Sequence, residues 1–210
     1  MQPHILVADD HPLTAEGIRR ILGRISSDIS VVHVPEQVWA CLSHRAPDLL
    51  VLDLSFRNSH TTGFDLLREI HQGLPRLPVL IVSMFDEPEL RDAAKNEGAR
   101  GFVSKIQVGR FLVEAASAIL EGRTAFPEYP DEKAATLSAR QLQVSNELTH
   151  GLHEKEIAAK LGLSVRMVES HLNRAKRRIK ARSLTELVAI FIRRGYQLLP
   201  RRDLKKTTDE

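Results

Sequence analysis

The segment Leu49-Leu50-Val51-Leu52-Asp53 decides the fold, because it places an acidic residue directly after an unbroken apolar run. A continuous apolar run, rather than an alternating one, is typical of a strand in a parallel sheet covered on both faces. The same plan repeats along the N-terminal part of the chain: strands are predicted at 5–8, 29–34, 49–52, 79–82 and 101–103, and helices near 13–25, 38–45, 64–72, 88–97 and 109–121. Five such repeats predict an α/β doubly wound domain with a five-stranded parallel sheet over residues 1–122.

The pattern changes after residue 122. Residues 123–137 contain two prolines and mixed charge and are predicted to be a linker. The rest of the pattern is helical, with helices predicted at 139–149, 154–161, 165–180 and 184–194. Capping boxes at Ser138 with Gln141 and at Ser183 with Glu186 indicate helix starts. We therefore expect a small all-α four-helix domain over 138–199 and a polar, frayed tail over 200–210.

The charge of the chain is unevenly distributed. The net charge is +3, but residues 1–122 carry 12 Lys and Arg against 16 Asp and Glu, a balance of −4. Residues 123–150 carry −1, and residues 151–210 carry 15 against 7, a balance of +8. Basic charge gathered in one terminal domain indicates a polyanionic partner, although a solvated surface is the alternative.

Compartment and membrane association are constrained by simple features. No apolar run approaches the roughly 20 residues that a membrane span requires. The chain passes from Met1 straight into a strand, without a signal-peptide pattern. The single Cys41 excludes an internal disulfide framework and fits a reducing cytosol. A cytoplasmic protein is expected.

Polar residues follow four of the predicted strands at the edge where open α/β sheets bind their ligands. Asp9 and Asp10 end the first strand and Asp53 ends the third. Three converging carboxylates repel one another unless a cation joins them, and Mg²⁺ takes oxygen ligands of this kind. The backbone carbonyl of Ser55 is a further candidate ligand. The predicted cofactor is one Mg²⁺ held by Asp9, Asp10, Asp53 and Ser55.

A carboxylate beside such a metal can accept a phosphoryl group. Asp53 is the candidate acceptor, with Ser83 as a hydroxyl donor and Lys105 as a point charge for the phosphoryl oxygens. Each residue also has a simpler interpretation, as a helix cap, a turn residue, a loop hydroxyl or a solvated charge. The prediction rests on their joint placement at strand ends.

With its double acid, Leu-Val-Leu-Asp53-Leu, Ser83 and Lys105, the segment 1–122 resembles a response-regulator receiver domain. The resemblance implies that a sensor histidine kinase phosphorylates Asp53 and that Ser83 and Phe102 form a switch pair. An ordinary core position is the alternative for Phe102. The loop from Leu54 to Gly63 is longer than the family pattern and lacks its common Met-Pro-Gly. That departure bears on the carbonyl ligand and on the dephosphorylation rate.

The C-terminal domain contains a helix, a turn at Gly162 and a second helix, which is the helix-turn-helix arrangement. On the second helix, Val168, Leu172, Ala175 and Ile179 recur at helical spacing and are predicted to be buried. The opposite side can meet DNA: Arg166 suits guanine, Asn173 suits adenine, and three cations suit phosphates. The candidate DNA-binding residues are Arg166, Glu169, Ser170, Asn173, Lys176, Arg177 and Lys180.

The run from Gly151 to His171, with its Lys-Glu-Ile-Ala core and Gly-Leu-Ser turn, resembles the LuxR/NarL-type output domain. The resemblance implies bacterial origin, double-stranded DNA with paired half-sites, and a homodimer on activation. Glu169 stands where the family often has Lys, and it could accept from cytosine N4 or repel phosphate. Candidate dimer residues on the last helix are Leu184, Leu187, Val188 and Phe191, with core packing as the alternative for most of them.

These features predict a bacterial two-component response regulator in which phosphorylation of Asp53 controls dimerisation and DNA binding. Two other classes stay open. One is a phosphatase or phosphotransferase with Asp53 as nucleophile, although such enzymes commonly have a second acid where this chain has Ser55. The other is a phosphorylation-gated protein-interaction module with weak or no specific DNA binding.

Overall fold

In the computed structural model, residues 2–56, 59, 61–127 and 137–199 are described. They form two compact units: residues 2–86 and 90–127 contribute to the first, and residues 87–89 and 137–199 contribute to the second. The predicted tail, most of the predicted linker and part of the loop after Asp53 lie outside the described residues. Within the described ranges, no helix has the length and apolar character required to cross a membrane.

The first unit is built on a five-stranded parallel sheet, as predicted. The strands are β1 (Ile5–Ala8), β2 (Ile29–Val32), β3 (Leu49–Leu52), β4 (Val79–Ser83) and β5 (Gly101–Ser104), in the order β2-β1-β3-β4-β5. β2 ends two residues before the predicted limit because Pro35 already begins the next helix. The chain direction across the sheet reverses between β1 and β3, so a crevice opens at the carboxyl ends of these two strands.

Five helices cover the sheet of this unit: α1 (Pro12–Leu22), α2 (Pro35–His44), α3 (Gly63–Gly73), α4 (Pro88–Asn96) and α5 (Val108–Leu120). α1, α2 and α4 begin with proline, whose missing N–H costs nothing in a first helical turn. One core cluster joins alternate strand residues such as Val7, Val51 and Val82 to Ile18 of α1 and Leu112 of α5. Burying one such aliphatic side chain stabilises the fold by about 1.5–3 kcal/mol.

The free edge of β5 is covered by the segment that follows α5. The N–H of Phe102 donates to the carbonyl of Ala125 at 3.0 Å, and the N–H of Ala125 donates to the carbonyl of Arg100 at 2.8 Å. A Cβ atom at Gly101 would lie 2.7 Å from the same Ala125 oxygen, so this close pairing requires glycine. The first residues of the predicted linker therefore pair with the sheet.

The second unit contains α6 (Ala139–Thr149), α7 (Glu154–Leu161), α8 (Val165–Arg178) and α9 (Leu184–Arg193) among its described residues. The predicted capping box at Ser138 is present, since Ser138 Oγ accepts from the Gln141 N–H and Gln141 Oε1 accepts from the Ser138 N–H. The box at Ser183 is only half formed, because the Glu186 carboxylate accepts from the N–H of Arg182 instead.

The helix α8 ends two residues before the predicted limit. Lys180 takes a left-handed backbone conformation with φ of 59°, which ends the helical run. Val168, Leu172 and Ala175 are buried, as the periodicity predicts, together with residues of α6, α7 and α9. Phe191 packs edge-on against Tyr196 with ring centroids 4.8 Å apart.

Candidate functional site

Three carboxylates meet where β1 and β3 end. Asp9 and Asp10 follow β1, and Asp53 follows β3, whose residue Leu52 pairs with Ala8. Ligand atoms of Asp9, Asp10, Asp53 and His11 all lie within 4.8 Å of one another. Asp9 and Asp53 are only 1% and 3% exposed, so their charges are poorly screened by water. The carboxylates that the sequence predicts as metal ligands are therefore brought together.

The donor set fits a magnesium ion. Carboxylate oxygens are hard ligands, and Mg²⁺ typically takes one or two of them and keeps several waters. Ser55 also reaches the site, although the interaction seen is a hydrogen bond from its backbone N–H to Asp53. Its carbonyl as a metal ligand stays a prediction.

Lys105 bridges two of the carboxylates. Its Nζ lies 2.7 Å from Oδ2 of Asp53 and 2.6 Å from Oδ2 of Asp9, and its side chain is 5% exposed. Lys105 follows β5 directly and opens a short 3-10 turn that ends at Gln107. The strand end therefore aims one cation at the predicted acceptor, where it partly offsets the clustered negative charge.

The environment also sets the protonation of Asp53. Burial raises the pKa of Asp53 to about 6, against the opposing effects of the Lys105 charge and hydrogen bond. Desolvation is the larger cause, because it penalises the charged form. At pH 7 about nine-tenths of Asp53 is still ionised, so it can act as a nucleophile.

The two predicted switch residues share one face of neighbouring strands. Ile81 pairs with Phe102 and Ser83 pairs with Ser104, so Phe102 and Ser83 lie diagonally on the same side of the sheet. Both side chains are buried. Ser83 Oγ accepts a hydrogen bond from the N–H of Phe85 at 3.1 Å, which leaves its own hydroxyl proton available as a donor.

Gly63, at the start of α3, packs against the backbone of Asp53 and Leu54. A Cβ atom there would lie 2.2 Å from the carbonyl oxygen of Asp53 and 2.5 Å from Cα of Leu54. The N–H of Gly63 donates to the carbonyl of Leu54 at 3.0 Å, and Thr62 caps the helix through a box with Asp65. Sequence reasoning treated Gly63 only as the end of a long loop. A glycine directly before an apolar helical run was the available signal.

His11 is a second residue that the sequence did not single out. Its ring Nδ1 lies 2.7 Å from Oδ1 of Asp10, and its backbone N–H donates to Oδ1 of Asp9 at 2.9 Å. The spacing of the histidines did not indicate a role for His11. It lies close to the acids because it directly follows them in the chain. The backbone of His11 therefore holds the Asp9 carboxylate, and its ring lies against Asp10.

The exposed side of α8 carries most of the predicted DNA-binding residues. Ser164 caps the helix by accepting from the N–H of Met167 at 3.2 Å. Arg166, Glu169, Ser170, Asn173 and Arg177 are exposed, Lys176 is half-buried, and Lys180 lies just beyond the helix end. Arg174 and Arg178 are also exposed on α8 but were left out of the predicted set.

Two of the four predicted dimer residues on α9 are placed differently from the prediction. Leu187 and Phe191 have no exposed surface, because they fill the core against α6, α8 and Tyr196. Their burial agrees with the alternative of core packing for these two residues. Leu184 and Val188 are partly exposed, and Ile192 on the same helix is 47% exposed.

Each of the two units matches a known protein family. A family model described as "Response regulator receiver domain" matches residues 5–117, and one described as "Bacterial regulatory proteins, luxR family" matches residues 135–191. The chain belongs to the NarL/FixJ-type response regulators.

Relatives of this response regulator match it over most of their length. The oxygen regulatory protein NreC of Staphylococcus epidermidis is 28% identical over 218 residues, covering 90% of this chain and 97% of NreC. The transcriptional regulatory protein UhpA of Salmonella typhimurium is 31% identical over 175 residues, covering 80% of this chain and 86% of UhpA. These relatives are named as regulatory proteins, and neither family model describes a turnover enzyme.

Solved structures resemble the response regulator in fold. RcsB from Salmonella enterica serovar Typhimurium, bound to promoter rprA in the presence of phosphomimetic BeF3−, has a TM-score of 0.60 and 23% identity, covering 90% of this chain and 98% of that one. A LuxR-family response regulator from Aurantimonas has a TM-score of 0.55 and 30% identity, covering 62% and 92%. This chain is thus a two-component response regulator with a LuxR-type DNA-binding domain.

Proposed function

We propose that Mg²⁺-dependent phosphorylation of Asp53 by a sensor histidine kinase controls dimerisation of this regulator and its sequence-specific binding to DNA. The observation that carries the proposal is the acidic pocket, in which Lys105 bridges Asp53 and Asp9 at 2.7 and 2.6 Å. An ionised carboxylate beside a buried lysine is arranged to receive a phosphoryl group whose oxygens need positive charge.

In the transfer step, a carboxylate oxygen of Asp53 forms a bond to phosphorus as the bond from phosphorus to the donor histidine nitrogen breaks. The product is an aspartyl phosphate, and the leaving imidazole keeps the electron pair and takes up a proton. Mg²⁺ held by Asp9, Asp10 and Asp53 would offset charge on the phosphoryl oxygens. Lys105 already donates to Asp53, so a small shift of its Nζ pairs it with the new oxygens.

The pocket connects to β5 through the switch pair. Ser83 has a free hydroxyl proton that can be donated to a phosphoryl oxygen, and Phe102 shares its face of the sheet. The backbone N–H of Phe102 is bonded to Ala125, at the start of the chain segment that leads to the output domain. A conformational change at Phe102 could therefore be passed to that segment through this hydrogen bond.

For the output domain, we propose that α8 enters the major groove. Arg166, Ser170 and Asn173 are exposed on its outer side and suit base edges. Lys176, Arg177 and Lys180 suit phosphates, and Glu169 suits cytosine N4. Structures of RcsB on DNA support this use of the fold. With Leu187 and Phe191 buried, the proposed dimer contact rests on the exposed parts of Leu184 and Val188.

The first test is labelling by a small phosphodonor. The chain is incubated with acetyl phosphate and Mg²⁺, and the phosphorylated fraction is followed by mass spectrometry. We expect labelling of the wild type and of Asp92→Asn, which alters an exposed acid on α4, and no labelling of Asp53→Asn. Undiminished labelling of Asp53→Asn would overturn the assignment of the acceptor.

The second test is DNA binding by the phosphorylated and unphosphorylated chain, measured genome-wide with Asp53 intact and with Asp53→Asn. We expect discrete sites whose occupancy depends on Asp53. The absence of any preferred site would instead support the protein-interaction module as the function of this chain.

A further inference from the structure

His11 stands at the start of α1, but its ring does not cap that helix. The N-cap residue of a helix usually offers a side-chain acceptor to the N–H groups of the first turn. His11 occupies this position before Pro12 in an extended backbone conformation, and it makes no side-chain cap hydrogen bond. The imidazole is therefore left to interact with the acids that precede it in the chain.

The ring nitrogen of His11 that faces these acids is shielded from solvent. Nδ1 lies 2.7 Å from Oδ1 of Asp10 and 3.6 Å from Oδ1 of Asp9. This nitrogen has almost no exposed surface and, within the described ranges, forms no hydrogen bond. The side chain as a whole is 36% exposed, so the rest of the ring reaches solvent. His11 thus presents one buried nitrogen to a cluster of carboxylate oxygens.

The spacing within this cluster suits a single metal ion. One ligand atom from each of four residues lies within 4.8 Å of the others, and these residues are Asp9, Asp10, His11 and Asp53. Two ligands that are each about 2.0–2.2 Å from one ion lie at most about 4.4 Å apart. Side-chain movements of a few tenths of an ångström therefore bring all four ligand atoms into range of one ion.

The charge of the cluster matches a divalent cation that is bound with one neutral ligand. The three acids carry three negative charges when they are ionised. Lys105, which contacts Asp9 and Asp53 at 2.6 and 2.7 Å, carries one positive charge, so the balance is −2. One divalent cation cancels that balance. An imidazole binds metal in its neutral form, so His11 adds a ligand without adding charge repulsion.

We infer that His11 is a ligand of the divalent cation in this pocket and gives the pocket a preference for first-row transition dications over Mg²⁺. The inference rests on the proposed function, in which the three acids hold the cation that phosphorylation requires. Carboxylate oxygens suit Mg²⁺ and Mn²⁺, whereas an imidazole nitrogen favours later metals, and affinity rises in the order Mn²⁺, Co²⁺, Ni²⁺. The supply of transition metal then acts on the same pocket as the phosphoryl donor.

The test is direct metal binding by the full-length chain, measured without a phosphoryl donor. The metal-free chain is titrated calorimetrically with Mg²⁺, Mn²⁺, Co²⁺ and Ni²⁺ at neutral pH. One variant is His11→Ala, which has no cap hydrogen bond to lose, and another is Asp53→Asn, which removes a proposed ligand. His44→Ala is the matched control, because it removes an exposed histidine from α2 of the same unit.

We expect His11→Ala to weaken the binding of Co²⁺ and Ni²⁺ at least about tenfold, because loss of even an outer partner of a metal ligand costs about 10–100-fold in affinity. The affinity for Mg²⁺ should change less than about twofold, and the loss for Mn²⁺ should fall between these values. Asp53→Asn should weaken the binding of all four ions, and His44→Ala of none. Pulsed electron paramagnetic resonance of bound Mn²⁺ should show coupling to a nitrogen nucleus in the wild type and His44→Ala, but not in His11→Ala.

The failures are distinguishable. If Mg²⁺ neither binds the wild type nor supports labelling by acetyl phosphate, the proposed function is overturned and the inference with it. If Mg²⁺ binds and supports labelling while His11→Ala keeps the wild-type affinity for Co²⁺ and Ni²⁺, the inference alone fails. Equal weakening of all four ions would overturn it by limiting His11 to holding the acids in place. Nitrogen coupling that persists in His11→Ala would overturn it by assigning the nitrogen to another residue.

Discussion

The substitution Asp53→Asn should stabilise the first unit in the absence of divalent metal. Asp53 is 3% exposed, and burial raises its pKa from 3.8 to about 6. An acid whose pKa is higher in the folded state disfavours folding once the pH rises above its unfolded value. At about 1.4 kcal/mol for each pKa unit, ionised Asp53 costs about 3 kcal/mol of unfolding free energy at pH 8 and less than about 1 kcal/mol near pH 4.

The chain offers a convenient probe for this effect. Its single tryptophan, Trp39, lies on α2 of the first unit, so its fluorescence reports on that unit. Urea unfolding is followed at pH 4 and pH 8 with a chelator present, for the wild type, Asp53→Asn and Asp92→Asn. We expect Asp53→Asn to gain about 3 kcal/mol at pH 8 and little at pH 4, while Asp92→Asn, which replaces an exposed acid, matches the wild type.

Magnesium provides an internal check. A ligand that binds only the folded state stabilises it by mass action, so Mg²⁺ should raise the wild-type unfolding free energy more than that of Asp53→Asn. Equal or lower stability of Asp53→Asn at pH 8 without metal would refute the reasoning, because it would mean that Lys105 fully compensates for the burial of the carboxylate.

Three further outcomes are expected. Gly63→Ala should lower the unfolding free energy in urea by about 1–3 kcal/mol, because its Cβ would meet backbone atoms at 2.2 and 2.5 Å. Gly73→Ala, in the same helix, places its Cβ in open space and should not lower it. Equal effects of the two substitutions would contradict the packing argument. Leu13 and Ile106 are 91% and 80% exposed beside the pocket. The variant L13D/I106D should therefore slow phosphoryl transfer from a phosphorylated histidine kinase and leave labelling by acetyl phosphate unchanged. Equal loss of kinase transfer and acetyl phosphate labelling would indicate damage to the pocket. Lys180→Gly should raise the unfolding free energy of the second unit by up to about 1 kcal/mol, because φ is 59° there; a fall in the unfolding free energy would show that the side chain contributes more than the strain costs.

The sheet and its ligand-binding edge were predictable because both depend on local signals. Runs such as Leu49–Leu52 are typical of buried strands in a parallel sheet, and the carboxyl ends of parallel strands meet at one edge. The convergence of Asp9 and Asp53 followed from that rule. The sequence did not show how close Lys105 lies to Asp9 and Asp53, and the structure supplies those distances.

The misplaced residues share a different physical cause. A helical pattern shows which stripe is apolar, but it does not show how many neighbouring elements cover that stripe. Leu187 and Phe191 are buried because α6, α8 and Tyr196 surround them, and these contacts are distant in the chain.

The hydrogen bond between the Gly63 N–H and the Leu54 carbonyl closes the base of the loop that follows Asp53, the proposed phosphoacceptor. Because this hydrogen bond fixes the two ends of the loop, the length of the loop does not affect where its ends lie. Doubling the length of a flexible loop costs only about 0.6 kcal/mol in closure entropy. Residues can therefore be inserted, deleted or exchanged between Leu54 and Gly63 while Asp53 keeps its position. The loop is a segment in which the lifetime of the aspartyl phosphate could be altered, by evolution or by grafting, without rebuilding the pocket.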